Sequence, residues 1–209
     1  MQNKLDGNGK NMKIYGDTKS GNCYKVQLVC SLLNVDHEWI NVDILAGDTK
    51  TEEFLKMNPN GKIPLLELIE GETLSESNAI INFLANGTEF YPEGALAQAR
   101  IQQWQFFEQY SHEPFIAVAR FINKYLGMPD DRLEEYASKQ AGGHKALKVM
   151  EQQLSKTPFI TGEDFTTADI SLYAYTHVAH EGGFELDDYP AIQEWLNRVA
   201  SLPNFKRMA

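Results

Sequence analysis

Three short segments carry side chains that could bind and activate a small anionic ligand. The first is Thr18–Lys25 (TKSGNCYK), with Ser20 and Asn22 at the expected start of a helix. Backbone N–H groups in the first turn of a helix have no intrahelical acceptor and carry partial positive charge, so they favour an anion. A serine hydroxyl in that place can donate to a thiolate. The second is Ile63-Pro64 inside NPNGKIP. A proline opening a strand gives nothing to the ladder, and a cis bond before it would turn the Ile63 backbone outward, where an extended peptide could pair with it. The third is Glu76-Ser77 before another apolar helical run. A carboxylate and a hydroxyl beside unpaired amides suit an amino acid head group, with Glu76 on the ammonium and Ser77 on the carboxylate. Each segment also has a plain structural use: capping for Ser20 and for Glu76-Ser77, and strand initiation for Pro64.

Other reactive residue types carry less. Cys23 and Cys30 lie on one expected helix, where only distortion could join them, so both are expected as free thiols of a reducing compartment. His177 and His180 share a helix without a carboxylate or cysteine to complete a ligand set, and His37, His112 and His144 are scattered. No metal is expected. Tyr15 falls within a strand and is read as packing.

The elements that must position these residues alternate at first. Met12–Gly16 is a short strand, and Val26, Val29, Cys30 and Leu33 mark one face of a helix. Glu38–Ile44, rich in β-branched and aromatic residues, is a second strand, which makes a right-handed βαβ unit. A helical turn at Thr51–Met57 leads to a hairpin of Pro64–Glu70 and Glu72–Leu74 turning at Gly71. Ser75–Ser77 then caps a helix through Ile80, Ile81 and Leu84. The order βαβ, short helix, ββα is a thioredoxin-like layer. Asn86–Gly94 is turn-rich and marks the domain boundary.

From Ala95 the pattern is helical. Trp104, Phe107, Phe115, Val118, Phe121, Ile122 and Tyr125 recur at helical spacing, with Pro114 expected to kink a long helix. Leu133, Tyr136, Ala137, Leu147, Met150 and Leu154 continue in the next. Thr166 and Asp169 have the spacing of a capping box, with Phe165 and Ile170 placed as a hydrophobic staple. The division expected is a flexible extension at 1–11, a thioredoxin-like domain at 12–86, a linker at 87–94 and an all-helical domain at 95–209.

Composition bounds the partners. The 209 residues, 43% hydrophobic and 23% charged, are ordinary for a folded water-soluble chain. A formal charge of −10 argues against nucleic acid and against anionic lipid, while leaving one basic pocket possible. No apolar run is long enough to span a bilayer, and the polar first eleven residues lack the apolar core of a signal peptide. A cytoplasmic location is expected.

Taken in order, these motifs resemble the cytosolic glutathione S-transferases, with a serine pattern like that of the phi and theta classes. The resemblance rests on Tyr15, Gly16, Ser20, Lys50 eight residues before Asn58-Pro59, then Gly61, Ile63, Pro64, Glu76, Ser77, Ala79 and Ile80, with Phe165–Asp169 as the helical-domain marker. It implies that Ser20 stabilises the glutathione thiolate, with Asn22 as a second contact because some bacterial relatives use an asparagine there. Lys50 and Lys62 would face the glycine carboxylate, Ile63 ahead of cis-Pro64 would pair with the cysteinyl unit, and Glu76 and Ser77 would hold the γ-glutamyl head. Phe107, Tyr110 and Phe115 are candidates for the far wall of an electrophile site between the domains. The resemblance further implies a homodimer and glutathione as co-substrate, with no resident cofactor.

Three functions follow from that likeness. The leading one is conjugation of glutathione to small apolar electrophiles. A second is glutathione-dependent disulfide or peroxide reduction, through Ser20 and Asn22 or through Cys23, since family branches with a cysteine near this helix start form mixed disulfides. A third is a non-enzymatic interaction protein on the same architecture.

Overall fold

The structure, a computed structural model, describes residues 12–68 and 71–209. The expected extension at 1–11 lies outside the described residues, as does the end of the expected hairpin strand at Ile69 and Glu70. The chain divides into two compact units, one ending at Tyr91 and the other Pro92–Ser201. Leu202–Ala209 belongs with the first unit, which corrects the expected extent of the helical domain. Hydrogen bonds tie this segment down: Tyr24 Oη donates to Lys206 O at 2.6 Å and Ser31 Oγ to Asn204 O at 2.7 Å.

The first unit is a four-stranded mixed sheet in the order β2-β1-β3-β4, formed by Lys13–Gly16 (β1), Glu38–Asn41 (β2), Leu65–Glu67 (β3) and Thr73–Ser75 (β4). β1 and β2 run parallel, while β1–β3 and β3–β4 are antiparallel. The strands are shorter than the apolar runs suggested, because Val42 and the residues after it turn into the loop before Asp48–Lys50, a 3₁₀ turn. Helices Gly21–Leu33 (α1), Glu52–Met57 (α2) and Ser77–Ala85 (α3) complete the layer, with α1 packed on α3. Thr51 caps α2 by accepting from Phe54 N at 3.3 Å.

The periodicity of α1 predicted a single buried face ending at Leu33. Instead Cys23–Cys30 are all buried, and Leu32 is buried where Leu33 is half-buried. A helix apolar only on one side becomes a core helix here because α3 and the C-terminal segment cover what the sheet does not. Gly16, at the end of β1, is required by this packing. A Cβ there would come within 2.8 Å of the Trp39 ring and 2.9 Å of Cys23 Sγ.

The second unit contains, among the described residues, helices and one isolated bridge, Phe159–Gly162. Ala95–Phe107 (α4) and Glu113–Arg120 (α5) form a nearly continuous run, joined by a π-helical turn at Glu108–His112 and followed by another at Phe121–Tyr125. Pro114 has no N–H for the carbonyl four residues back, and its ring would crowd that carbonyl in an α register. The wider turn just before it, with Glu113 N–H reaching Glu108 O, accommodates the ring. The buried face of this run differs from the expected aromatic stripe. Ile101, Gln105, Glu108, His112, Ile116 and Ile122 are buried, whereas Trp104, Phe107, Phe115, Val118, Phe121 and Tyr125 are half-buried. The cause is polar pairing with Thr167–Thr176 (α7): Gln105 Nε2 donates to Thr167 Oγ1, and His112 Nε2 lies 2.9 Å from Thr176 Oγ1.

Leu133–Leu154 (α6) buries Leu147, Met150 and Leu154, as its spacing predicted, but its first turns leave Leu133 and Ala137 exposed. Thr166 and Asp169 form the capping box of α7. Asp169 is fully buried and accepts from Thr166 N, Ile160 N and Trp195 Nε1, each at 2.9 Å. Trp195 belongs to Pro190–Ala200 (α8), so one carboxylate fixes α7, the loop before it and the last helix.

Candidate functional site

Strand register brings the three chemical segments to one end of the sheet. Tyr15 pairs with Leu65 and Leu65 with Ser75. The residues that follow β1, precede β3 and follow β4 therefore emerge together: Ser20–Asn22, Ile63-Pro64 and Glu76-Ser77. Each was anticipated in the sequence, and the register explains why segments distant along the chain act as one surface.

The first segment is set by a turn. Asp17 Oδ1 accepts from Lys19 N at 2.9 Å and Asp17 O from Ser20 N at 3.0 Å, which brings Ser20 to the cap of α1. Ser20 Oγ accepts from Cys23 N at 3.4 Å. The capping use and the ligand use are compatible, because a hydroxyl that accepts one hydrogen bond still carries a proton to donate. The first turn of α1 holds no acidic residue, so its positive end is not offset from within the helix.

Cys23 is fully buried behind this cap, and burial pushes its thiol up to about 12 against the opposing pull of the Ser20 hydroxyl and the Asp17 backbone. Cys30 is likewise pushed up to about 12 by burial. Burial that keeps the thiol protonated and covered weighs against a redox role for Cys23. Tyr15 is also remote from ligand chemistry. Its hydroxyl donates to Glu67 Oε2 at 2.7 Å, its ring packs on the Val42, Phe54 and Leu65 cluster, and burial and Glu67 raise it to about 12.

The Ile63-Pro64 bond is cis. Among the described residues the peptide N–H and C=O of Ile63 have no hydrogen-bonding partner. The loop ahead of it is held from within: Asn58 Nδ2 donates to Lys62 O at 2.7 Å, and Lys50 Nζ to Gly61 O at 3.4 Å. Gly61 has φ +59°, a conformation that glycine adopts readily, and a Cβ there would also sit 3.0 Å from the Thr49 carbonyl oxygen. Lys50 and Lys62 are exposed.

At the third segment Glu76 is exposed with φ +70°, a left-handed position that costs a non-glycine residue energy and tends to persist where function requires it. Its side chain does not cap α3, which corrects the expectation that Ser75–Ser77 side chains would. Ser77 is buried and bonds across to α1, where its Oγ donates to Asn22 Oδ1 at 3.2 Å. The starts of α1 and α3 are thus joined side by side, two positive helix ends at one place. Sequence reasoning missed Lys25 and Asn78 here. Lys25 is fully buried, and its Nζ donates to Ser77 Oγ at 3.3 Å and to Asn78 Oδ1 at 3.5 Å. A lysine in a helix reads as solvent-facing, and only its company of Ser20 and Asn22 one turn earlier hints otherwise.

The electrophile candidates lie in the second unit. Phe107 is half-buried with its ring against Trp104 at 5.2 Å, and Tyr110 is 76% exposed. Phe115 is half-buried and packs so closely on α6 that a Cβ on Gly142 would strike its ring. No helix of the described residues is long and apolar enough to cross a membrane.

Residues 20–86 match the family described as "Glutathione S-transferase, N-terminal domain", and residues 112–203 match "Glutathione S-transferase, C-terminal domain". A crystal structure of a glutathione S-transferase from Pseudomonas fluorescens Pf-5 is similar with 59% identity and a TM-score of 0.93, over 94% of this chain and 98% of that one. Glutathione S-transferase 3 of Zea mays is 30% identical over 94% of this chain and 92% of its own length. The disulfide-bond oxidoreductase YfcG of Escherichia coli is 28% identical over 87% of each chain.

Proposed function

We propose that this chain, which belongs to the glutathione S-transferase family, conjugates glutathione to small apolar electrophiles. The observation that carries the proposal is the unpaired peptide group of Ile63, flanked at one sheet end by the two joined helix starts. A γ-glutamyl tripeptide has the matching parts in order. Its cysteinyl unit pairs with the Ile63 backbone, and its thiolate takes the Ser20 hydroxyl with Asn22 as a second donor. Glu76 takes the ammonium, while the amides at the start of α3, that of Ser77 among them, take the neighbouring carboxylate. Lys50, with Lys62, faces the glycine carboxylate.

The chemistry needs more than an acidified thiol. A thiol of pKa about 8.5 is roughly 3% thiolate at neutral pH. Lowering it by about two units yields roughly 25-fold more thiolate, of which a Brønsted slope of about 0.4–0.5 removes roughly 6–10-fold. The net gain is about threefold, so holding the thiolate against an electrophile must supply the larger part. Phe107, Tyr110 and Phe115 are the side chains we assign to the electrophile, Tyr110 being the most exposed of the three. Family membership also supports a homodimer in the cytoplasm. Leu96 and Phe106 on α4, 65% and 62% exposed, are apolar surface that a second copy would cover.

Calorimetric binding of glutathione followed by an aryl halide conjugation assay tests the proposal. Binding with turnover is the expected result, and absence of binding would sink it. A second reading, glutathione-dependent disulfide reduction, is favoured by an asparagine, Asn22, in the first turn of α1 and by the likeness to the Escherichia coli oxidoreductase. Turnover of a mixed disulfide without aryl halide conjugation would select it.

A further inference from the structure

We infer that Asn58 is a positioning residue of the glutathione site: its buried carboxamide clamps the Lys62–Ile63 peptide by the carbonyl, and so aims the Ile63 N–H outward as a donor to the backbone of an extended ligand. The inference rests on the functional reading above and assigns a role to a residue that acts through another.

Asn58 closes α2, where its N–H donates to Phe54 O at 2.9 Å, and Phe54 is packed in the cluster with Val42 and Leu65. The Asn58 side chain turns back over its own loop and is only 4% exposed. Its Oδ1 accepts from Asn60 N at 3.2 Å, and its Nδ2 donates to Lys62 O at 2.7 Å. The two contacts agree on which end of the carboxamide is which, because a backbone N–H needs the oxygen and a carbonyl needs the N–H. Asn58 O also accepts from Gly61 N at 2.9 Å, so backbone and side chain close the same loop.

Lys62 O and Ile63 N belong to one peptide plane. That bond is trans, since among the described residues Ile63-Pro64 is the cis bond. In a trans peptide the C=O and N–H point in opposite directions. Fixing the carbonyl on Asn58 therefore turns the Ile63 N–H away from it. Gly61 O is held in turn by Lys50 Nζ at 3.4 Å. The carbonyls of Asn58, Gly61 and Lys62 are thus taken from within, while the N–H and C=O of Ile63 stay open among the described residues. One residue offering both groups is the pairing unit of an antiparallel ladder. The Ile63 side chain is held as well, because it packs on the same cluster as Phe54. A donor set in advance spares a ligand the cost of ordering the loop.

The test compares wild type with Asn58→Asp at about pH 8, where an aspartate is ionised. The variant keeps the shape and an acceptor for Asn60 N but has no N–H for Lys62 O. The ligands are γ-glutamylcysteine amide and γ-glutamylcysteamine, which differ only in the carboxamide whose oxygen would accept from Ile63 N–H. Calorimetry is expected to show Asn58→Asp binding the amide about threefold to tenfold more weakly, the scale of one hydrogen bond, with the cysteamine changed less than about twofold. If Asn58→Asp does not fold, as judged by circular dichroism, Asn58→Ser removes the donor without burying a charge and carries the same expectation. A folded variant that weakens both ligands equally would overturn the inference, since a loop merely loosened does not sense one carbonyl. So would a folded variant that binds both like wild type, or a wild type with no preference for the amide over the cysteamine. Wild type that binds no glutathione would instead overturn the functional reading, and this inference with it.

Discussion

Ser20 does two things with one oxygen, and the two can be separated by substitution. Its Oγ caps α1 by accepting from Cys23 N, and its proton is the donor assigned to the thiolate. Ser20→Ala removes both, while Asn22→Ala removes a donor held at one remove by Ser77. The expected loss in kcat/KM for conjugation is on the order of 10–100-fold for Ser20→Ala and less for Asn22→Ala, the range for a hydrogen bond to a charged group. The reverse order in steady-state assays would exchange their roles. Cys23 offers a contrasting expectation. With its thiol pushed up to about 12 and no exposed surface, it should resist thiol-disulfide reagents until the chain unfolds. Labelling followed by mass spectrometry in buffer and in denaturant checks this, and Cys23→Ser should keep any disulfide reductase activity. Ser20, Ile63, Glu76 and Ser77 were legible because hydroxyls, carboxylates and an X-Pro step at element ends have few uses. Lys25 and the positive φ of Glu76 were not, since burial and backbone sign are decided by neighbours distant in sequence.

Elements were legible to the degree that one local pattern governed them. The βαβ and hairpin order, the Thr166–Asp169 capping box and the change to an all-helical second unit follow from periodicity and cap chemistry, and the structure has each of them. The buried face of α4 and α5 was hidden, because Gln105, Glu108 and His112 are polar residues whose partners lie on α7. Aromatic spacing drew attention to the half-buried side instead. The return of Leu202–Ala209 to the first unit was hidden for a similar reason, resting on two backbone carbonyls that carry no side-chain signature. Two substitutions probe what the elements need. Asp169→Ala leaves Ile160 N–H, Thr166 N–H and Trp195 Nε1–H without their acceptor in a sealed interior. A loss of about 3–5 kcal/mol is expected in urea unfolding, the scale of a broken buried network. Gly16→Ala forces a Cβ against Trp39 and Cys23, and overpacking of that kind costs about 1–3 kcal/mol. A wild-type unfolding midpoint for either variant would contradict the packing described.

For the whole chain, the response to acid separates the two units. In the first, the raised groups Tyr15, Cys23 and Cys30 all stand near 12, far from the acid range. In the second, two groups titrate between neutral and mildly acid pH with opposite signs. Burial lowers His177 from 6.5 to about 4, where its Nδ1 bonds Tyr173 O and its ring stacks on Tyr173. Its stabilising contribution is complete above its unfolded value and is lost as pH falls toward about 4. Burial raises Asp169 from 3.8 to about 6, although Ile160, Thr166 and Trp195 pull it down. Its contribution is complete below its unfolded value and is lost as pH rises through about 6. A gap of one pH unit between folded and unfolded values is worth about 1.36 kcal/mol, so each group contributes at most about 3–4 kcal/mol and the two largely offset each other on acidification. Removing His177 isolates its share. His177→Phe, which keeps a ring against Tyr173, is expected to gain stability relative to wild type between about pH 7 and about pH 4.5, because it lacks the imidazole whose protonation favours the unfolded wild-type chain there. The measurement is the difference in urea midpoint between variant and wild type at each pH, which cancels every carboxylate the two share. Trp104 and Trp195 fluorescence reports the second unit and Trp39 the first. A midpoint difference independent of pH would mean that His177 titrates normally in the folded chain, and the acid response would then belong to the surface carboxylates of a chain of charge −10.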